Sequence, residues 1–494
     1  MVALVVINAV AVSIGILAPL MYGSKITQIG LLGAICVACS GIVAYNRFRQ
    51  FGIADSLGMF VFCFAAYNGL IPLQIAILGE KDTIQYLYPI SFNEQTYLAA
   101  ALASALASLG LLAGSFLLQT RAYSRKPSHG KRFSHECVES FFMVGCLGTL
   151  AGFALLVIDN RRIGGFFYAL ALSRVTRYQM LSEARGNLPY QSFILVGLCF
   201  MFFGAGVRRG KVKLALLSLA ALSWTMILVV QGDRRPLLYM LLGFFVINES
   251  VQLVKTSGKR VILFLVVLYC FSVLMSSVRS VFPYLVDRSM DISQAVVWSK
   301  DHVTAGDLLP EQGEFAGPYI AILYEMQSWG GYRYGLTYAE AIPNVLPRSL
   351  YPGEKPATLS ESLAWNIGNT DANGSISGWG YSPVAEAYIN FGLTGIPLVF
   401  AAFSLAFGMM SRLLSLGPFF VVLCASLSPE MLNLNRINMS HAFQEAVFAL
   451  AVAFVLLLCA RVLERTIWGK RVLARRGAFP SHSGFTPEAL AHLY

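Results

Sequence analysis

The segment VVQGDRRPLLYML, residues 229–241, places Asp233, Arg234 and Arg235 between two long apolar runs. Residues 159–189 add Arg161, Arg162, Arg174, Arg177 and Arg185 against only Asp159 and Glu183. Together the two segments hold seven arginines and no lysine. A guanidinium stays charged and offers a planar fork that matches phosphate oxygens in pairs. Arg174 and Arg177 stand three apart, so a helix would put them on one face. Such a cluster beside lipid suits an anion carried on a lipid, a pyrophosphate above all. The plainer reading is that these arginines touch headgroups or pair with loop carboxylates. In either case Asp233 is better suited to orient a neighbouring arginine than to act as a base.

Chemistry at such a substrate also needs a group that takes a proton. Glu386 follows Ser382 and Pro383 at the mouth of an apolar run, and His441 stands beside Ser440 near Arg436. An ion pair with an arginine would account for Glu386 equally well, and a helix-end hydrogen bond for His441. Glu314 and Glu325 are further carboxylates in the long segment before Glu386. No His/Asp/Glu set has metal-ligand spacing, so neither a metal nor a cofactor is expected. All nine cysteines fall in apolar runs, and the CxxC at Cys36 and Cys39 has no second pair; buried thiols are the simpler reading.

The elements that must position these residues are membrane helices. The chain has 494 residues, 56% of them hydrophobic and 13% charged, about half the charge of a soluble domain. A helix needs about 20 apolar residues to cross a bilayer, and this spacing predicts an all-α bundle of about 12 transmembrane helices. The first five are expected near 2–20, 26–45, 53–78, 95–118 and 136–158. Four more fall near 190–207, 214–231, 236–254 and 261–282. The last three fall near 383–410, 417–432 and 442–460, the eleventh short and interrupted by Pro429 and Glu430. The run Val2 to Leu20 reads as a first span and not as a removed signal peptide, since no charged stretch precedes it.

Basic residues set the orientation. With the N-terminus in the cytoplasm, every second loop is short and basic: Arg47 and Arg49, then Arg121 to Arg132, Arg208 to Lys213, Lys255 to Arg260, and Arg412. The tail after residue 460 is basic too, so the positive-inside rule gives an N-in, C-in bundle. The net charge of +11 therefore marks cytoplasmic loops and not a nucleic-acid partner. The organisation is helices 1 to 5 in 1–158, an arginine-rich periplasmic loop in 159–189 and helices 6 to 9 in 190–282. A large periplasmic loop with surface helices follows in 283–382, then helices 10 to 12 in 383–460 and a basic cytoplasmic tail in 461–494. This puts Arg234 and Arg235 outside, where orientation alone has no use for them. The glycine pairs Gly110/Gly114 and Gly148/Gly152 suit close helix packing.

The large loop contains Trp329, Tyr332, Tyr334, Trp365, Trp379 and Tyr381, which suit sugar faces or the membrane interface equally. Its IPNVLPRSLYPGEKP and the later GYSPVAEAYINFGLTGI resemble the Wzy-type oligosaccharide repeat-unit polymerases that build O-antigen and exopolysaccharide. GGFFYALALSRVTRY and GDRRPLL are similar to the same family, and the resemblance runs over roughly residues 160–445. An arginine-plus-distant-glycine pattern found in some members is not evident in this sequence.

The resemblance implies a multi-pass glycosyltransferase of the bacterial inner membrane with its active site facing the periplasm. A glycan on undecaprenyl pyrophosphate would pass as a block to the non-reducing end of a new lipid-linked repeat unit. In that scheme Arg161, Arg162, Arg174, Arg177, Arg234, Arg235 and Arg436 bind the pyrophosphate. Glu386 or His441 is the base, and Trp329, Trp379 and Tyr381 contact glycan. The expected partners are the undecaprenyl-pyrophosphate-linked oligosaccharide, the bilayer, a chain-length regulator of the polysaccharide co-polymerase type and a flippase. The alternatives are a lipid-linked glycan ligase and a flippase or transporter. The last predicts ionisable residues deep in the spans and a repeat axis.

Overall fold

The structure, a computed structural model, describes residues 23–78, 91–120, 134–171, 180, 188–231, 234–253, 315–328, 330–346, 351, 357–368, 380–414 and 416–468, with isolated positions between 291 and 297. Among the described residues the fold is all-helical. Eight helices among these residues are long and apolar enough to cross a membrane. They are α1 (Lys25–Phe51), α2 (Ser56–Leu78), α3 (Glu94–Thr120) and α4 (His135–Arg161), then, after the six-residue α5 (Phe166–Ala171), α6 (Tyr190–Val207) and α7 (Lys211–Gln231). α8 (Arg234–Val251) follows, with two arginines in its first turn. The large loop contributes α9 (Ala316–Gln327), α10 (Leu336–Ala339), α11 (Ala341–Asn344) and α12 (Leu359–Asn366). The two remaining long helices are α13 (Pro383–Leu413) and α15 (Met439–Leu463), with the shorter α14 (Pro418–Asn433) between them. The expected spans at 2–20 and 261–282 lie outside the described residues.

Apolar faces divide the helices into two packed groups. α1, α2, α3, α9 and α13 share one core, around Phe60, Phe64, Tyr97, Tyr319 and Phe400. α4, α6, α8, α14 and α15 share another, around Phe141, Phe200, Phe203 and Val422. α7 closes against α4 and α6 through the buried Trp224. Close approach of α3 and α13 depends on Gly110 and Gly114: a Cβ there would stand 2.3 Å from the Pro397 carbonyl oxygen and 2.6 Å from that of Ala401. Ser404 adds a hydrogen bond to the Leu111 carbonyl, 3.0 Å. Gly148 and Gly152 likewise sit under Leu456 and Ile194.

Two placements add to what the sequence suggests. In α9, Ala316 and Tyr319 to Leu323 are buried against α2, α3 and α13, while Gln327 at its end is exposed. Arg47, read as a basic loop marker, is also buried. It donates to both oxygens of Asp55, 3.0 and 2.7 Å, and lies 4.1 Å over the Phe51 ring. Asp55 further accepts from the Gly58 N–H at 2.7 Å and from Ser411 at the far end of α13. A buried charge is tolerated only when it is this fully paired.

Candidate active site

α13 begins at Pro383 behind the N-cap Ser382 and is broken at Gly392, whose φ of 68° and ψ of −171° leave the helical region. A break in a helix leaves carbonyls that need new donors. The large loop supplies them: Arg333 N–H reaches the Ile389 carbonyl at 2.8 Å and Tyr334 N–H the Asn390 carbonyl at 3.0 Å. Asn390 completes the clasp, its amide donating to Thr337 Oγ1 (2.6 Å) and to the Glu386 carbonyl (2.8 Å) while its oxygen accepts from Gly335 N–H (3.0 Å). Glu386 is wholly buried below this clasp. One of its oxygens accepts from Thr337 Oγ1 at 3.0 Å and the other from Met439 N–H at 2.6 Å. Met439 opens α15, and the N-cap Asn438 makes no side-chain capping bond. The carboxylate of Glu386 therefore serves as the cap, favoured by the positive end of the helix dipole.

That cap fixes the first turn of α15, which carries His441. Its Nε2 lies 3.0 Å from Glu445 Oε1, one turn further along, and the imidazole is 40% exposed. Glu445 in turn faces Glu430 of α14 closely enough to hydrogen-bond. The Oε2 atoms of Glu430 and Glu445 are buried without a hydrogen-bond partner among the described residues, and two carboxyls so placed favour sharing one proton. Arg235, in the first turn of α8, acts electrostatically on Glu430, His441 and Glu445, and also on Tyr67 and Tyr239. Arg436, in the link between α14 and α15, hydrogen-bonds the Tyr67 hydroxyl. Tyr67 is the middle residue of α2, about 16 Å from either end at about 1.5 Å per residue.

Arg436 is braced from below. Its carbonyl accepts from Tyr381 N–H at 2.8 Å, and the Tyr381 hydroxyl donates to Glu325 of α9 at 2.8 Å. Burial holds the Glu325 carboxyl above the usual carboxylate range, with Tyr381 and Arg333 opposing. Tyr381 is fully buried, so in this structure it presents no open ring face to a sugar. The Ser360 hydroxyl reaches Asn438 at 3.5 Å, bringing α12 to the start of α15.

The structure thus gathers Arg235, Arg436 and His441 into one cluster, with Glu386 bonded to the helix that carries His441. Arg161 and Arg162 lie at the end of α4. There Arg162 is 3.6 Å from the buried Asp159, which also accepts from Leu188 N–H at 3.4 Å; this pair fastens the chain after α4 to the start of α6. Arg174, Arg177, Trp329, Trp379, Asp233, Glu314 and the side chain of Arg234 lie outside the described residues. Sequence reasoning missed Glu445, Glu430, Tyr67, Tyr239, Thr337 and Asn390. Two of these had a signal: Glu445 stands four residues after His441, and Glu430 is an acid inside an apolar run. Among the described residues no three His, Cys, Asp or Glu side chains are grouped to hold a metal ion.

Long apolar helices in number, one of them kinked and clasped by a long loop, are those of a multi-pass membrane protein. The family model for the O-antigen polysaccharide polymerase Wzy matches residues 3–466, and the chain belongs to that family. Membership bears out the resemblance seen in the sequence, supports an O-antigen polymerase role and implies a lipid-linked oligosaccharide substrate. No curated protein and no solved structure matches the chain.

Proposed function

We propose that the chain polymerises lipid-linked repeat units by block transfer at the periplasmic face of the bacterial inner membrane. The glycan leaves undecaprenyl pyrophosphate and joins the non-reducing end of the next repeat unit. The placement of Arg235 on the His441–Glu445 dyad, with Arg436 sharing Tyr67 and Tyr239 with it, carries this reading. A hydroxyl of the acceptor sugar attacks the anomeric carbon of the donor, forming the new glycosidic C–O bond. The bond from that carbon to the pyrophosphate oxygen breaks, and the electron pair leaves with the pyrophosphate. Arg235 and Arg436 stabilise the charge that grows there, worth most in a site shielded from water. His441 Nδ1 takes the hydroxyl proton, and Glu445, bonded to Nε2, stabilises the imidazolium that results. Glu386 holds α15 in place through its bonds to Thr337 and the Met439 N–H. Arg161, Arg174, Arg177 and Arg234 draw the lipid-linked anion toward the site, while Arg162 is held by Asp159.

The test is reconstitution in proteoliposomes with lipid-linked repeat units and no nucleotide sugar. A ladder of lengthening lipid-linked glycan is expected. Transfer to lipid A–core without lengthening would make the protein a ligase, and movement of the substrate across the bilayer without new bonds would make it a flippase.

A further inference from the structure

Among the described residues only Gln252 and Tyr334 hold a positive φ without being glycine. The φ of 49° at Tyr334 lies in the left-handed region, which a bulky side chain rarely occupies. The ring gains no burial from it: Tyr334 is 82% exposed. The neighbouring backbone fixes the conformation, through the N–H groups of Arg333, Tyr334 and Gly335 bound to Ile389 and Asn390 at 2.8, 3.0 and 3.0 Å. Gly335 follows with its own φ of 88°. A glycine at 334 would suit this backbone better, yet the chain has an aromatic ring there and turns it outward. Tyr332, 41% exposed, stands beside it with the ring centroids 6.3 Å apart at 74°. The Tyr332 hydroxyl lies over Gly392, where a Cβ would be 2.8 Å away. The pair is thus held rigidly to the kink of α13. Asn390 then links it to Glu386, and Glu386 to the first turn of α15 two residues before His441.

We propose that Tyr334, with Tyr332 at its edge, is the platform on which a sugar ring of the acceptor repeat unit stacks. The proposal rests on the polymerase reading for the identity of the sugar. The C–H face of a pyranose is apolar and rigid, and it covers an aromatic face without requiring either partner to lose much freedom. A platform whose backbone is tied to the kink of α13 and the cap of α15 offers the acceptor repeat unit a fixed place to bind beside the site. An aromatic that only anchored the chain at the membrane interface would need neither the strained backbone nor the bonds to the kink.

The strain supplies the test. Y334G relieves the left-handed backbone and removes the ring, so it should melt no lower than the wild type. The KM for the lipid-linked repeat unit should rise about tenfold while kcat stays within about threefold. Y334F and Y334W should retain the wild-type KM within about threefold. In parallel, the lipid-free repeat-unit oligosaccharide released from the native O-antigen is titrated onto the full-length protein in nanodiscs, and Y334G should weaken its binding by a similar factor. An unchanged KM and unchanged oligosaccharide binding in Y334G would overturn the proposal. So would a Y334F as defective as Y334G, or a loss of melting temperature in Y334G with oligosaccharide affinity intact, the mark of a membrane anchor. If the wild type binds the free oligosaccharide but makes no polymer, the polymerase reading fails while the binding measurement still decides the platform.

Discussion

His441 and Glu445 are one helical turn apart, so α15 itself holds the base and its partner in register. Substituting a general base typically costs 10²- to 10⁴-fold. H441A should therefore slow polymerisation in proteoliposomes by at least about a hundredfold. E445Q should slow it too, since the imidazolium loses its counter-charge. E430Q separates a shared proton from an independent charge. Its amide N–H can donate to Glu445 as the shared proton does, so the rate should stay within about threefold of wild type. A loss in E430Q as large as in E445Q would show that Glu430 acts as a carboxylate. The i, i+4 spacing of His441 and Glu445 was readable in the sequence, but the contact of Arg436 with Tyr67 was not. Tyr67 lies in an unbroken apolar run and is hundreds of residues from its partner, and nothing in either neighbourhood encodes the contact.

At the scale of elements, the clasp between the large loop and α13 depends on a backbone that only glycine adopts readily. G392A meets two costs, the positive φ and contact with Tyr332, and should lower stability by roughly 1–2 kcal/mol or more. Thermal unfolding in detergent should show this as a lower midpoint, accompanied by a fall in activity because Tyr332, Tyr334 and Thr337 lose their anchor. E386A removes the cap of α15 together with the Thr337 bond. Loss of a cap costs about 0.5–2 kcal/mol, and the orphaned Met439 N–H and Thr337 hydroxyl lie buried, so the upper end is expected. Hydrogen exchange at the start of α15 should rise in E386A, and would stay at the wild-type level if Glu386 served only as a base. Helix positions were largely legible: α6 spans the expected residues, and α13 and α14 start within a residue of expectation. The break at Gly392 was not, because the FGLTGIP run stays apolar through it. The acid in Glu386 was visible, but which donors would claim its oxygens depended on how α10 and α15 pack.

At the scale of the molecule, the two helix groups meet where α14 and the link after it run beside α2 and α13. Ser56 and Ser428 touch at 3.4 Å, and Asn435 donates to the Phe60 carbonyl at 3.3 Å. The Arg47–Asp55–Ser411 cluster is far from His441 in sequence and ties α1 and α2 to the end of α13. Removing one member of a buried pair typically costs about 3–5 kcal/mol, while replacing both with apolar residues is often neutral. D55A should accordingly reduce the yield of folded protein and its resistance to denaturant, and the double variant R47M/D55L should recover most of both. Failure of the double variant to recover would mean the cluster has a role beyond pairing. Orientation could be argued from loop charges, but Arg47 shows the limit of that reasoning. A basic residue at a loop edge serves equally as an anchor or as half of an ion pair, and only packing decides.

The central claim is that Arg235 and Arg436 act together on the leaving pyrophosphate beside His441. It is tested most directly by the chain-length ladder made in proteoliposomes by R235A, R235K and R436A, against R162A as a control for arginine loss elsewhere. The account expects R235A and R436A to leave single repeat units unjoined and R235K to restore only a fraction of the rate, because an ammonium keeps the charge without the fork. R162A should still make the ladder. Full-length ladders from R235A and R436A, with the proteins folded in the membrane, would contradict it.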